Sequence, residues 1–117
     1  MGHRYTTIKI SNMEKTKVTE VEALVDTGAT LTVIPEKLAQ ELELGEATME
    51  TVKTGAGNIR LKRSAARISI GDREAPQSVL VSDFIDRVLL GVVTLETLAL
   101  SVDPLTGELK EEILLLY

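Results

Sequence analysis

Apolar and polar residues alternate in part from Tyr5 to Ile10, and from Val18 to Val25 the chain grows more apolar toward its end. The polar stretch Ser11 to Lys17, carrying Lys and Glu, lies between them. A period of two predicts a strand, a loop, and a second strand that enters the core. Leu31-Thr32-Val33-Ile34 is a short β-branched run. Pro35 stops it and can open a helix at its first position, with Leu38 and Leu42, four apart, as the buried stripe.

From Met49 to Leu61 two strand-like arms flank Thr54-Gly55-Ala56-Gly57-Asn58, whose glycines permit positive φ and a tight reversal. A hairpin with a mobile tip is predicted. A second hairpin follows, with Ala66 to Ile70 alternating into Gly71-Asp72 and returning through Ser78 to Val81. Val88-Leu89-Leu90-Gly91 is an apolar run ending in glycine, and Leu95 and Leu98 after it sit at helical spacing. Leu100 to Asp103, Pro104 to Gly107 and Glu108 to Lys110 read as a last hairpin. Two units of apolar strand, glycine and short helix thus occur, around Gly28 and around Gly91.

At 117 residues, with neither linker nor low-complexity tract, residues 1–117 are expected to form one domain. Such a chain is too small for two lobes with separate cores, so any cleft between lobes must be built by two chains. Aromatics are only 3 % against 44 % hydrophobic residues, so the core must be aliphatic, which suits strands. A net charge of −5 argues against a nucleic-acid binder. Arg60, Lys62, Arg63 and Arg67 form the one local basic cluster, and Arg60 and Lys62 at alternate positions fit a solvated strand face.

The absence of cysteine rules out disulfides, thiolate nucleophiles and Cys-built metal sites. A single histidine, His3, allows neither a Ser-His-Asp triad nor a multi-histidine metal site within one chain, and it is expected to be inert. Glu108, Glu111 and Glu112 read as a solvated charged end, because nothing near them in sequence completes a coordination shell. No metal and no cofactor are expected. The chain also lacks a basic segment followed by a long apolar one, so no membrane association and a cytoplasmic location are expected.

The chemistry concentrates at Ala23-Leu24-Val25-Asp26-Thr27-Gly28-Ala29-Thr30, where one carboxylate ends an apolar run directly before a small, turn-prone pair. A carboxylate at the mouth of a buried strand loses water, and only paired hydrogen bonds or a shared proton make that tolerable. When two identical chains meet about a two-fold axis beside Asp26, the two carboxylates come face to face. At about 3 Å and an effective dielectric of about 20, two full charges repel by about 5 kcal/mol, so the pair holds one proton between them. One partner can then take a proton from water while the other gives one to a carbonyl oxygen.

Leu24-Val25-Asp26-Thr27-Gly28-Ala29, a β-branched strand, a Gly-containing hairpin, and Leu89-Leu90-Gly91 before a short helix resemble the retropepsin-like aspartic proteases. The likeness runs from about Tyr5 to about Leu109. It is nearer to the single-domain cellular members of bacteria and archaea, which share Ile34-Pro35 at the helix entry and a Val102-Asp103-Pro104 turn. The resemblance implies an all-β closed barrel or sandwich with one or two short helices, each chain carrying half of a two-fold symmetric active site. It implies a homodimer that hydrolyses peptide or protein substrates. Asp26 would activate the attacking water with its counterpart, Thr27 would brace the two loops across the axis, and Gly28 would let the backbone approach and hold the substrate. Ala29 and Thr30 would line the floor. The tip Thr54, Gly55, Ala56, Gly57 and Asn58 would be a flap that closes over the peptide. Leu89, Leu90 and Gly91 would support the catalytic loop from beneath.

Departures from the viral pattern are specific. Many viral members carry two acidic residues after Asp-Thr-Gly-Ala and an arginine after the second glycine; here those places hold Thr30, Leu31 and Val92. Acid and arginine are lost together, so no charge is stranded, but the viral substrate-anchoring and interface ion pairs do not carry over. Ile113 to Tyr117 fits a dimer strand, a disordered end or a hydrophobic plug. Among rival readings, a nucleotide kinase with an aspartate-and-glycine phosphate turn needs two large lobes for which the chain has no room. A catalytically silent dimeric peptide-binding or regulatory module of the same fold is the alternative. The intact Asp26-Thr27-Gly28 favours the enzyme, because binding alone does not require a desolvated carboxylate. Leu31, Val33 and Ile59 predict an apolar cleft and a preference for hydrophobic residues beside the cut bond.

Overall fold

In the computed structural model, which describes residues 4–45 and 48–113, strands β1 (Tyr5–Ser11) and β2 (Val18–Val25) pair antiparallel, Tyr5 opposite Leu24. His3 and residues 114–117 lie outside the described residues. Strand β3 (Thr32–Pro35) leads into helix α1 (Glu36–Glu41), followed by β4 (Thr48–Thr54), β5 (Gly57–Ile70), β6 (Arg73–Ser82) and β7 (Val88–Leu90). Helix α2 (Val92–Thr97) and a ribbon of β8 (Leu100–Val102) and β9 (Leu109–Glu111) complete the order. The ring runs β1-β2-β7-β3-β6-β5 and closes because β5 pairs back onto β1. Of the closed barrel or sandwich with one or two short helices that the resemblance implies, the chain forms the closed all-β barrel with two, and β4 hangs outside the ring on β5.

The barrel interior is aliphatic. Ile8, Ile10, Ile34, Ile68, Val79, Val88 and Leu90 are each at most 2 % exposed, and burial of each such side chain stabilises the fold by about 1.5–3 kcal/mol. Pro35 sits one position earlier relative to the helix than expected, as the N-cap with ψ 141°, because it still pairs with Ser82 at the end of β3. The buried side of α1 is carried by Ala39 and Leu42, while Leu38 is half-buried.

The two predicted hairpins share one strand. β5 runs unbroken for 14 residues, pairing β4 through its first half, β6 from Lys62 onward, and β1 near its end. Buried positions fall on Leu61, then on Ser64, Ala66 and Ile68, so burial changes face between Leu61 and Ser64 and the period of two is interrupted. At the first tip Gly57 alone takes positive φ, at 117°, and Gly55 does not; at the second Gly71 does, at 61°.

The basic cluster is largely paired. Lys62 meets Glu36 on α1, Arg63 meets Glu50 at 2.7 Å, and Arg67 lies 3.7 Å from Glu74. The Glu36 carboxylate, hydrogen-bonded to Lys62, holds its ammonium above the ordinary 10.5. What that pair contributes to stability is fully present below the ordinary lysine value and is lost as pH rises through the raised one. No helix among the described residues is long and apolar enough to cross a membrane.

Candidate active site

Strand β7 is threaded between β2 and β3, parallel to the first and antiparallel to the second, with Val25 opposite Leu90 and Val33 opposite Leu89. This placement brings the loop after β2 against the joint between β7 and α2. Four backbone hydrogen bonds hold it there or shape it. The Asp26 N–H donates to the Leu90 carbonyl at 3.0 Å, Val92 N–H to the Ala29 carbonyl at 2.9 Å, and Val93 N–H to the Thr30 carbonyl at 3.0 Å. Within the loop, Ala29 N–H donates to the Asp26 carbonyl at 3.0 Å. The first N–H groups of α2, which have no partner inside their helix, thus serve to clasp the loop.

The Asp26 side chain is half-buried, more open in a single chain than its place at the strand mouth predicts. Its Oδ1 accepts the Gly28 N–H at 2.9 Å, which orients the carboxylate. A Cβ at residue 28 would stand 3.2 Å from that oxygen, so glycine permits the approach. Among the described residues Oδ2 accepts no hydrogen bond. Thr27, Gly28 and Thr30 are exposed and Ala29 is half-buried, so the loop presents its polar edge outward.

Gly91 is fixed more tightly still. A Cβ there would lie 2.5 Å from the Leu31 carbonyl carbon, 2.6 Å from its oxygen and 2.8 Å from the Thr32 nitrogen. The Gly91 N–H donates to Thr32 Oγ1 at 3.0 Å, Thr32 Oγ1 lies 2.7 Å from Thr94 Oγ1, and Thr94 Oγ1 donates to Gln77 Oε1 at 3.2 Å. Because Thr94 gives its proton to Gln77, Thr32 must give its own to Thr94, so the relay has one direction. All four residues are buried. Sequence reasoning did not single out Thr94 or Gln77 and read Thr32 only as a strand residue. The available signal was a hydroxyl inside each of two apolar runs, which needs a partner once buried.

Thr94→Val keeps the shape of the side chain but leaves Gln77 Oε1 without its donor and Thr32 without its acceptor. A loss of about 2 kcal/mol in urea unfolding is expected, with Thr94→Ser close to wild type. Equal stability of the two variants would show that the relay carries no weight.

Alternation along β7 separates the two leucines. Leu90 is fully buried in the barrel, whereas Leu89 is half-buried on the outer face. There it joins a row set by register across four strands, Leu24, Leu89, Val33 and Leu80, with Tyr5 at its open end. Leu80 and Leu61 are buried yet stand outside the main core cluster. The outer face beside Asp26 is therefore apolar. Leu31 and Ile59 are half-buried as well.

The tip of the β4–β5 hairpin is exposed except for half-buried Thr54. It is bound within itself: Thr54 Oγ1 donates to the Gly57 carbonyl at 2.7 Å and accepts the Ala56 N–H at 3.2 Å. Among the described residues no hydrogen bond joins this tip to residues 26–30. No group of three or more His, Cys, Asp or Glu among the described residues is placed to hold a metal ion.

Residues 11–97 match the family model described as "gag-polyprotein putative aspartyl protease". The chain belongs to this family of retropepsin-like aspartyl proteases. The solved structure of EIAV protease complexed with the inhibitor HBY-793 is similar to this retropepsin-like chain, with a TM-score of 0.68 at 23 % sequence identity. The likeness covers 83 % of this chain and 88 % of that one, and it shows the shared barrel. A comparison with curated protein sequences gives no match.

Proposed function

We infer that this retropepsin-like chain is an aspartic endopeptidase that works as a homodimer, with Asp26 of each chain facing the other across a two-fold axis. The observation that carries this reading is the Asp26 loop itself. Its backbone is clasped by the β7–α2 joint and one carboxylate oxygen is fixed by Gly28, while among the described residues the other oxygen accepts no hydrogen bond and Thr27 is exposed. A loop built rigidly from behind and open in front is a half-site, and a second copy supplies the missing wall.

In the assembled pair one proton is shared, the established behaviour of aspartic-protease dyads. The ionised carboxylate takes a proton from water, the water oxygen attacks the peptide carbonyl carbon, and the protonated partner gives its proton to the carbonyl oxygen. Collapse of the tetrahedral intermediate, with a proton delivered to the leaving nitrogen, breaks the C–N bond. Water is the nucleophile and no acyl-enzyme forms. The apolar row Leu24, Val33, Leu80 and Leu89 supports apolar residues on either side of the cut bond. The hairpin tip Thr54 to Asn58 would close over the peptide and exclude water, with Ala29 and Thr30 as the floor.

The test is cleavage of an apolar peptide library against protein concentration, with molecular mass measured at each point. Specific activity is expected to fall in step with dissociation of the dimer. A strictly monomeric protein that cleaves at full specific activity, or a trapped covalent acyl adduct, would overturn the reading. A dimer that binds peptides but never cuts them would assign the fold to the silent binding module.

A further inference from the structure

A groove of about 690 Å³ opens where α1, the segment before β7 and the middle of β2 meet. Its volume is within the range of ligand-binding sites, and it does not include Asp26 in its lining. The floor is apolar, made by Val21, Leu38, Ile85 and Val88, and Phe84 beside it is 78 % exposed. Around the floor stand Glu22, Glu36, Glu41, Asp83 and Asp86 against two cations, Lys37 and Arg87.

These charges do not cancel. Glu36 is taken by Lys62, and Arg87 is held by Asp86 at 3.1 Å and by the Tyr5 hydroxyl at 2.9 Å. Among the described residues Glu22, Glu41 and Asp83 form no ion pair, Lys37 is the one cation of the lining outside an ion pair, and Asp83 also faces Lys62, so three acids against one cation leave a negative rim over an apolar floor. The rim of the groove borders the strands that carry the apolar row, while its floor residues Val21, Leu38 and Val88 pack on the barrel core. Glu22 lies two residues from Leu24 on the same outer side of β2, and Arg87 and Val88 run directly into Leu89. Along the strand, Glu22 is about 13 Å from Asp26, the span of about four residues of extended peptide.

We propose that the groove is a second contact site for the substrate, taking a stretch that pairs an apolar side chain with a Lys or Arg, about four residues from the cut bond. The proposal rests on the endopeptidase reading and adds a substrate class to it: apolar at the cut, basic at a distance. Held by side chains remote from the reacting atoms, such a stretch lowers KM without altering the chemical step.

The experiment uses three peptides that share one apolar cleavage sequence and carry Lys-Lys, Gln-Gln or Glu-Glu about four residues from the cut, on either side. On the intact protein at low salt, kcat/KM for the Lys peptide is expected to exceed that for the Gln peptide by about five- to tenfold through KM, and the gap should close as salt rises. In Glu22→Gln/Glu41→Gln/Asp83→Asn the preference should vanish while Gln-peptide cleavage stays at the wild-type level. A control of equal charge change elsewhere, Glu14→Gln/Asp72→Asn/Glu96→Gln, should keep it.

Cleavage without any preference for Lys overturns the groove and leaves the protease reading intact. Equal loss of preference in both variants assigns the effect to net charge, and a fall in dimer mass in the groove variant assigns the face to the dimer contact; either result overturns the proposal. If no peptide is cut, fluorescence anisotropy with the labelled Lys peptide still decides: binding that the groove variant abolishes supports the groove and removes the protease reading, and absence of binding ends both.

Discussion

Asp26→Asn is expected to reduce peptide cleavage by about 10³-fold or more while leaving the fold in place. The amide oxygen can still accept the Gly28 N–H that now reaches Oδ1 at 2.9 Å, and the backbone bonds from Asp26 to Leu90 and from Ala29 to Asp26 do not involve the side chain. What is lost is the proton. An amide neither takes one from water nor gives one to a carbonyl oxygen, and general acid and base catalysis of this kind supplies about 10²–10⁴-fold. In the proposed dimer one residue type supplies both roles, so one substitution removes both. Cleavage rates measured alongside thermal unfolding check the split, and excess variant should also suppress wild-type activity by forming mixed dimers. A variant that still cuts would remove Asp26 from the chemistry.

Gly91→Ala should act on stability and on activity together. The methyl group would overlap the Leu31 carbonyl and the Thr32 nitrogen at 2.5–2.8 Å, and neither backbone is free to retreat. Thr32 is held by the relay to Thr94 and Gln77, and the start of α2 by its bonds to Ala29 and Thr30. A cost of about 3 kcal/mol or more is expected, at the upper end for added core volume. That is a large part of the 5–15 kcal/mol total usual for folded domains. Gly45→Ala, where a new Cβ meets nothing within 4 Å, is the control and should stay within about 0.5 kcal/mol. Displacement of the clasp by even about 1 Å should lower cleavage by about a further 10²-fold, measured under conditions where the variant remains folded. Equal urea midpoints for the two variants would show that the joint is looser than its geometry.

The strands that obey a simple period were legible. Tyr5 to Ile10 and Val18 to Val25 read as strands from sequence and fold as β1 and β2, and Gly71-Asp72 read as a turn and is one. β5 was not legible as a single strand because it serves two surfaces. Leu61 is buried on one face and Ser64, Ala66 and Ile68 on the other, and the polar Lys62-Arg63 between them reads as the end of an arm. At the site, the motif around Asp26 and the apolar run at Leu89 to Gly91 could be found in sequence. Their juxtaposition depends on β7 entering between β2 and β3, a long-range pairing that no local pattern encodes. The relay was hidden for the same reason: Thr32 and Thr94 lie 62 residues apart, and Gln77 belongs to a third element, β6.

The threading of β7 has a consequence for the order of events during folding. The strand has three residues and contacts β2 and β3 on its two sides, so it has nothing to dock on until both are present. The bond from Gly91, directly after it, to Thr32 spans 59 residues of chain, a closure of the kind that slows barrel formation relative to local hairpins. During synthesis the aspartate therefore emerges long before the element that sets it in position. Hydrolytic competence is expected to arrive last, after the barrel has been sealed, and a nascent chain would carry the acid without the means to use it.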